Sequence, residues 1–267
     1  MYRGFDIGTD KVPLAERRGI PHHLIDVVEP TDAYTAARYV SDAVAAIEQI
    51  YARGRWPIIV GGTGLYYRAL ARGLFPGPGA DAQMRSRLEG IAQRRGVERL
   101  HRMLKRVDLD SAARIQPRDL KRMVRALEVF FLTGTPLTDH FAATVSPLAG
   151  YRTLAVALSP PMPLIVERVA KRVDAQFEQG LLDEIRGLLA RGIPETARPF
   201  GGLVYRQALE HLHGVRNEAD TRELITRENR HYARRQLIWF RKEPNLVWLQ
   251  ASGERLETLT AVESLLA

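Results

Sequence analysis

Chemistry can first be argued at Thr63, inside the stretch WPIIVGGTGLYYRAL from Trp56 to Leu70. Ile58, Ile59 and Val60 form a short β-branched apolar run, the pattern of a strand covered on both faces in a parallel sheet. Gly61 and Gly62 follow, so the chain can turn sharply and let a ligand approach the main chain. The amides from Thr63 onward then open a helix, whose N-terminus favours an anion. In open α/β sheets ligands collect at the carboxyl ends of strands, which is where the Thr63 hydroxyl would stand. An ordinary strand-to-helix turn with Thr63 as its N-cap accounts for the same pattern.

The second chemical feature is cationic. In RDLKRMVRALEVFF, residues 118 to 131, Leu120, Met123, Val124, Leu127 and Phe131 share one side of a helix turning about 100° per residue. Arg118, Lys121, Arg122 and Arg125 share the other. Only Glu128 is spaced to answer them, so this surface should attract phosphate. Arg85 and Arg87 lie in the first turns of a helix beginning near Asp81, where the helix dipole disfavours cations and an external anion would favour them. On a long helix from Thr221 to Arg241, Arg227, Arg230, Arg234 and Arg241 fall within about 60° of one another, beside Tyr232 and Trp239. Arginines next to aromatics suit a nucleic-acid backbone with unstacked bases. Arg168 and Arg172 are four apart on a helix after the apolar run TLAVAL (153 to 158), a spacing similar to the phosphate-facing arginines of P-loop nucleotide kinases.

The elements that must position these groups read as an α/β pattern. A helix is expected from Thr35 to Tyr51, with Ala36, Tyr39, Val40, Ala43, Val44, Ile47 and Ile50 at helical spacing. Another should run from Gln176 to Gly192, and a last strand is expected at LVWL, residues 246 to 249. The opening residues read as a loop, and PHHLIDVVEP (21 to 30) as an extended segment between prolines. His22 and His23 would point opposite ways there, with no carboxylate spaced to join them as metal ligands. The 267 residues suffice for one large α/β domain with a helical part, or for two smaller domains. No apolar run of about 18 residues and no charged-then-apolar leader is visible, so neither a membrane span nor a secretory signal is expected, and a cytoplasmic setting fits. The chain has no cysteine, hence no disulfide or thiol chemistry, and its net charge of +8 favours a polyanionic partner.

YRGFDIGTDK, PHHLIDVVEP, PIIVGGTGLYYRAL, RALEVFFLTGTPLT, GLLDEIRGLLARG, VYRQALEHL and RRQLIWFRKE, in that order, resemble the tRNA dimethylallyltransferases, also called tRNA isopentenyltransferases. The likeness runs from Tyr2 to about Leu249. It implies a P-loop-kinase-like parallel sheet flanked by helices, in a core of residues 1 to 172 and 233 to 267. A helical tRNA-binding insertion is expected at residues 173 to 232. It also implies transfer of a dimethylallyl group from dimethylallyl diphosphate to the exocyclic amine of the adenosine beside the anticodon, with Mg²⁺ as cofactor. The tRNA anticodon stem-loop would be the partner of a monomeric enzyme. Carried over by position, Thr63 would meet the target adenosine or its tRNA, and Arg85 the tRNA. Lys121, Arg122, Met123, Val124 and Arg125 would line the RNA surface. So would Gly201, Gly202, Leu203, Val204, Tyr205 and Arg206, and further along Arg234, Arg235, Gln236, Trp239 and Arg241. Arg168 and Arg172 would face the diphosphate.

Two departures accompany the likeness. Val204 stands where the family usually has a glycine, so the backbone there should differ locally. Family members also begin with a strand and a GxTxxGK(S/T) loop, then an Asp-Ser pair before the Tyr-Arg-Gly motif, whereas Met1 directly precedes Tyr2 here. The expectation is a chain lacking its first strand and P-loop, with exposed sheet edges and activity near background. Two other readings follow from the same residues. A non-catalytic RNA-binding relative would bind tRNA without prenyl transfer, and a small-molecule phosphotransferase of the P-loop class would phosphorylate nucleotides.

Overall fold

The computed structural model describes residues 1–266. Helices dominate: α1 (Ala36–Ala52), α2 (Gly64–Arg72), α3 (Ala82–Arg95), α4 (Val97–Val107), α5 (Leu109–Arg114), α6 (Leu120–Thr133) and α7 (Leu137–Ala142) precede the first strand, β1 (Val156–Leu158). Then come α8 (Met162–Glu178), α9 (Leu181–Ala190), α10 (Tyr205–Leu212), α11 (Glu218–Phe240), β2 (Val247–Leu249) and α12 (Leu256–Leu266). β1 and β2 pair in parallel, with Val156 opposite Val247 and Leu158 opposite Leu249. The expected α/β class with a parallel sheet is therefore present. None of the described helices is long and apolar enough to cross a membrane.

The chain divides into two compact units, one formed by residues 1 to 67 with 151 onward, the other by Arg68–Gly150. In the larger unit the core is built by α8, α9, α10 and α11. Val173, Phe177, Leu181, Ile185, Leu188, Ala208 and Ile225 meet there around Phe5. Phe5 packs edge-on to Phe200 at 5.0 Å and to Tyr205 at 4.8 Å. The helices of residues 173 to 232 and the N-terminal loop meet in this core.

That loop has little regular structure, so its backbone groups need other partners. Glu184 on α9 accepts hydrogen bonds from the amides of Asp6 at 2.9 Å and Ile7 at 2.8 Å. Its other oxygen accepts from the Tyr205 hydroxyl at 2.6 Å, and that hydroxyl accepts from the Gly8 amide at 3.0 Å. Burial and the adjacent Glu184 carboxylate push the Tyr205 phenol well above its usual range. The phenol accordingly stays neutral and acts as a fixed link between loop and helix.

The smaller unit has its own core of Leu88, Leu100, Leu104, Met123, Val124, Leu127 and Val129, under α3, α4 and α6. Aspartates start its helices: Asp81 accepts from the Met84 amide at 2.7 Å and Asp119 from Arg122 at 3.2 Å. Asp108 caps α5 through the Ser111 amide at 2.8 Å and ties α7 to it through the Thr138 amide at 3.0 Å and hydroxyl at 2.7 Å.

Three expectations are corrected. Ile58 and Val60 are 85% and 90% exposed and the run is not a strand. A buried strand requires a hydrogen-bonded neighbour, and among the described residues none pairs with 58 to 60. PHHLIDVVEP is irregular, with Leu24 and Asp26 at positive φ, and contributes only the parallel bridge between Val28 and Tyr2. Phe131 is exposed, because the buried face of α6 takes Ala126 and Val129 together with Met123 and Leu127 and so rotates away from it.

Val204 adopts φ 79° and ψ −62°, a conformation natural to glycine and strained for a β-branched residue. The side chain is nonetheless only 4% exposed. Strain of about 1–3 kcal/mol opposes burial of about 1.5–3 kcal/mol. Val204→Gly relieves the first while losing the second, so urea unfolding should place it within about 1 kcal/mol of the parent. Val204→Ala keeps the strain and loses most of the packing, and it should be the less stable of the two; the reverse order would show that the residue is unstrained.

Candidate nucleic-acid interface

The glycine turn is placed by α11. The Gly62 carbonyl accepts from the Gln236 side-chain amide at 2.8 Å, and Tyr67 meets Phe240 edge-on at 5.5 Å. A Cβ on Gly64 would overlap the indole ring of Trp239, and one on Gly62 would overlap the Gln236 amide. Glycine is therefore needed here for close approach of the backbone to α11. Thr63 is exposed at the start of α2, where its carbonyl accepts from the Tyr67 amide at 3.0 Å.

The arginines fall into two electrostatic kinds. Arg234 and Arg235 on α11 and Arg241 at its C-cap are exposed and have no carboxylate within ion-pair distance among the described residues; Arg235 lies over the Tyr232 ring at 5.8 Å. Arg222, on the same helix, is instead paired with Asp174 at 3.2 Å and Glu218 at 2.8 Å. Arg168 pairs with Glu254 at 2.5 Å and Arg172 with Asp10 at 2.9 Å. Such half-exposed pairs stabilise a fold by about 0–1 kcal/mol, so a polyanion can displace the carboxylate at little cost.

In the smaller unit Lys121 and Arg122 are exposed on α6, Arg122 with Asp119 at 2.9 Å. Arg85 and Arg125 converge on Glu128. Its carboxylate accepts from Arg85 Nε at 2.8 Å and Nη2 at 3.0 Å, from Arg125 Nη1 at 2.6 Å and from the Asp81 amide at 2.7 Å. Burial raises the pKa of this fully buried acid, but the two guanidiniums and the amide hold it below the usual carboxylate range. The placement of Arg85 early in α3 is thus explained by a partner within the chain.

Some residues carried over as RNA contacts have side chains committed elsewhere. Met123 and Val124 lie in the core of the smaller unit, and Val204 and Tyr205 in that of the larger. Helical periodicity makes this unavoidable, since a contiguous segment on a half-buried helix must send part of its side chains inward. Gly201 and Arg206 remain exposed, with Gly202 and Leu203 half-buried between them. In the larger unit the structure brings Thr63 together with Gln236 and Trp239, and in the smaller it brings Arg85 together with Arg125. Two positions were not anticipated. Glu184 gave no signal beyond its place on a helix, and the role of Glu128 was readable only as an i+3 neighbour. For Mg²⁺, no group of three or more His, Cys, Asp or Glu side chains is gathered among the described residues. The described residues thus form no protein cage for the ion.

A family model described as IPP transferase matches residues 1–243. A tRNA dimethylallyltransferase of Solibacter usitatus is 47% identical over 257 residues, covering 96% of this chain and 83% of the relative. One from Geobacter metallireducens is 43% identical over 262 residues, covering 98% and 85%. Among solved structures, the full-length tRNA isopentenylpyrophosphate transferase of Bacillus halodurans superposes with a TM-score of 0.70 at 33% identity, over 99% of this chain and 83% of that one. A eukaryotic dimethylallyltransferase described as acting on tRNA gives a TM-score of 0.81 at 26% identity, over 100% and 69%.

Two measurements check this geometry. Gly→Ala at a helix start with ordinary φ normally stabilises by about 0.5–1 kcal/mol, but overlap with a ring costs about 1–3 kcal/mol. Gly64→Ala should therefore be net destabilising in urea and should shift tryptophan emission; a more stable variant would mean that Trp239 does not lie against the turn. The second concerns acid. Burial raises Asp108 too, but hydrogen bonds from Ser111 and Thr138 leave it, like Glu128, below its ordinary pKa. Depressed carboxylates contribute stability that is complete above their unfolded pKa, near 4, and is lost as pH falls through the folded values. The unfolding free energy should decline below about pH 4, and Asp108→Asn should flatten that decline.

Proposed function

The chain belongs to the IPP transferase family of tRNA dimethylallyltransferases, and on that premise we propose that its substrates are dimethylallyl diphosphate and the anticodon stem-loop of a tRNA. The dimethylallyl group passes to the exocyclic N6 amine of the adenosine beside the anticodon. The bond between the allylic carbon and the diphosphate oxygen breaks, a carbon–nitrogen bond forms, and diphosphate leaves while the amine gives up one proton. The setting is a cytoplasmic monomer. Mg²⁺ would travel with the donor's phosphates and water rather than in a protein cage.

The observation that carries this reading is the seat of the Thr63 turn on the same helix that displays unpaired arginines. An adenine flipped from its stack needs a hydrogen-bonding group and an apolar wall, and the exposed Thr63, with the Trp239 ring packed on neighbouring Gly64, offers both. Arg234 and Arg235 on α11 and Arg241 at its end stand where the flanking phosphates would run, and among the described residues they have no internal counter-charge to displace. Arg206 beside Gly201 is a further exposed cation of the larger unit, and the smaller unit has its own in Lys121 and Arg122 on α6. Arg168 and Arg172 suit the leaving diphosphate, which would replace Glu254 and Asp10 as their partners.

Titration of a labelled anticodon stem-loop against salt tests this reading. The parent should bind, with log affinity falling linearly in log salt. Replacing Arg234, Arg235 and Arg241 together with alanine should weaken binding and reduce the slope by about 0.7–0.9 for each phosphate that is no longer neutralised. An unchanged slope would mean that α11 does not face the RNA. Detection of prenylated adenosine after incubation with tRNA and dimethylallyl diphosphate would exclude the purely RNA-binding alternative.

A further inference from the structure

Glu128 is the one acid on α6, a helix with three cations, and its side chain is completely buried. A lone carboxylate on an RNA-facing surface should weaken binding by charge. Its geometry suggests a different contribution. Both oxygens accept from Arg85, in the bidentate fork that fixes a guanidinium's plane as well as its position. The Oε2 atom that accepts from Arg85 Nη2 also accepts from Arg125 Nη1, so two like-charged groups from different helices are held edge beside edge. Arg125 is pinned on its other side by a bond from Nη2 to the Pro78 carbonyl at 2.9 Å and lies over the Phe75 ring at 5.8 Å.

The acid is spent on bonds inward, while the two guanidiniums are not. Their side chains are 40% and 32% exposed, and Arg85 Nη1 and Arg125 Nε carry no hydrogen bond among the described residues. Two cations and one anion leave a net charge of +1, presented on two rigid planes whose free N–H groups lie at the surface. A backbone phosphate with two unesterified oxygens is the ligand class that such a pair fits.

We propose that Glu128 is a positioning residue that holds Arg85 and Arg125 as a preformed pincer for one phosphate of the tRNA backbone. This rests on the tRNA reading above and on the expectation, carried over from the family likeness, that both arginines also line the RNA surface. Preorganisation matters because a free arginine loses most of its rotamer freedom on binding, whereas these two have already lost theirs on folding.

The sign of one substitution separates this from a purely electrostatic or purely structural role. Glu128→Gln removes a negative charge and keeps the size. If charge alone matters, stem-loop affinity rises and the salt slope steepens. If Glu128 serves only the fold, thermal stability drops but the affinity of the folded fraction does not. The pincer predicts that affinity falls about tenfold, although the protein has become more positive, and that the salt slope shrinks by about 0.7–0.9, the share of one phosphate.

Arg85→Lys keeps the buried acid and every charge and loses only the fork, so it repeats the test should Glu128→Gln fail to fold. Affinity falls several-fold if orientation matters and holds within about twofold if it does not. Where both variants fold, the double variant should bind no worse than the weaker single one, because each change disables the same pincer. Additive losses would overturn the proposal, as would any affinity at or above that of the parent. Failure of the parent itself to bind the stem-loop overturns the functional reading and this inference with it, whereas binding by the parent with unaffected variants overturns this inference alone.

Discussion

The larger unit depends on how α11 is anchored. Its buried residues are Thr221 and Ile225, both near the N-terminal end, where the helix packs on α8. Beyond them it carries Tyr232, Arg234, Arg235 and Ile238 largely exposed. A helix gains little from propensity alone and needs a packed face to hold its course. Over its second half that face is supplied by the glycine turn, through Gln236, Trp239 and Phe240. The contacts that fix the helix therefore also fix Thr63 beside it. Without the two glycines the backbone could not come close enough to do either.

Charge is distributed by the same economy. Arginines that serve the fold have carboxylates close by, as Arg222 has Asp174 and Glu218. Those of the second half of α11 have none among the described residues. An unpaired surface arginine contributes nothing to the folded state and raises mutual repulsion, so a cluster of them on an anchored helix reads as a surface awaiting an anion. Arg168 and Arg172 are intermediate, since their partners Glu254 and Asp10 are more than half exposed and easily exchanged.

Helices were legible in the sequence because their signals are local. The helix starts read at Thr35 and Asp81 fall on the residues whose side chains cap α1 and α3, and the apolar spacing of residues 36 to 50 was enough to place α1. β1 lies within the short apolar run TLAVAL and β2 within LVWL. Ile58 to Val60 carries the same signal and does not form a strand, because a strand is completed only by a neighbour far away in sequence, and no local pattern encodes that partner. The cationic faces were visible as counts of arginine per turn. What stayed hidden was which of those arginines are already neutralised: Glu128 sits three residues from Arg125 but forty-three from Arg85, and only packing of α3 on α6 brings the second guanidinium to it. Glu184 was hidden for the same reason, its amide donors lying some 178 residues away.

The energetics of Glu128 bear on why such an arrangement persists. Replacing a buried ion cluster by well-packed apolar residues is often neutral or stabilising by about 1–4 kcal/mol, because desolvation offsets most of the attraction. Stability alone therefore gives weak reason for a buried acid at the meeting of α3 and α6, where leucine or methionine would fill the core adjoining Met123 and Leu127 as well. Removing only the acid would be worse than removing all three charges, since two guanidiniums would be left adjacent and unanswered. Hydrogen-bonded ions do supply orientation, which an apolar contact cannot give to a guanidinium. The smaller unit thus accepts an arrangement of no clear advantage to folding, in which two arginines keep one geometry and still show their outer N–H groups to solvent.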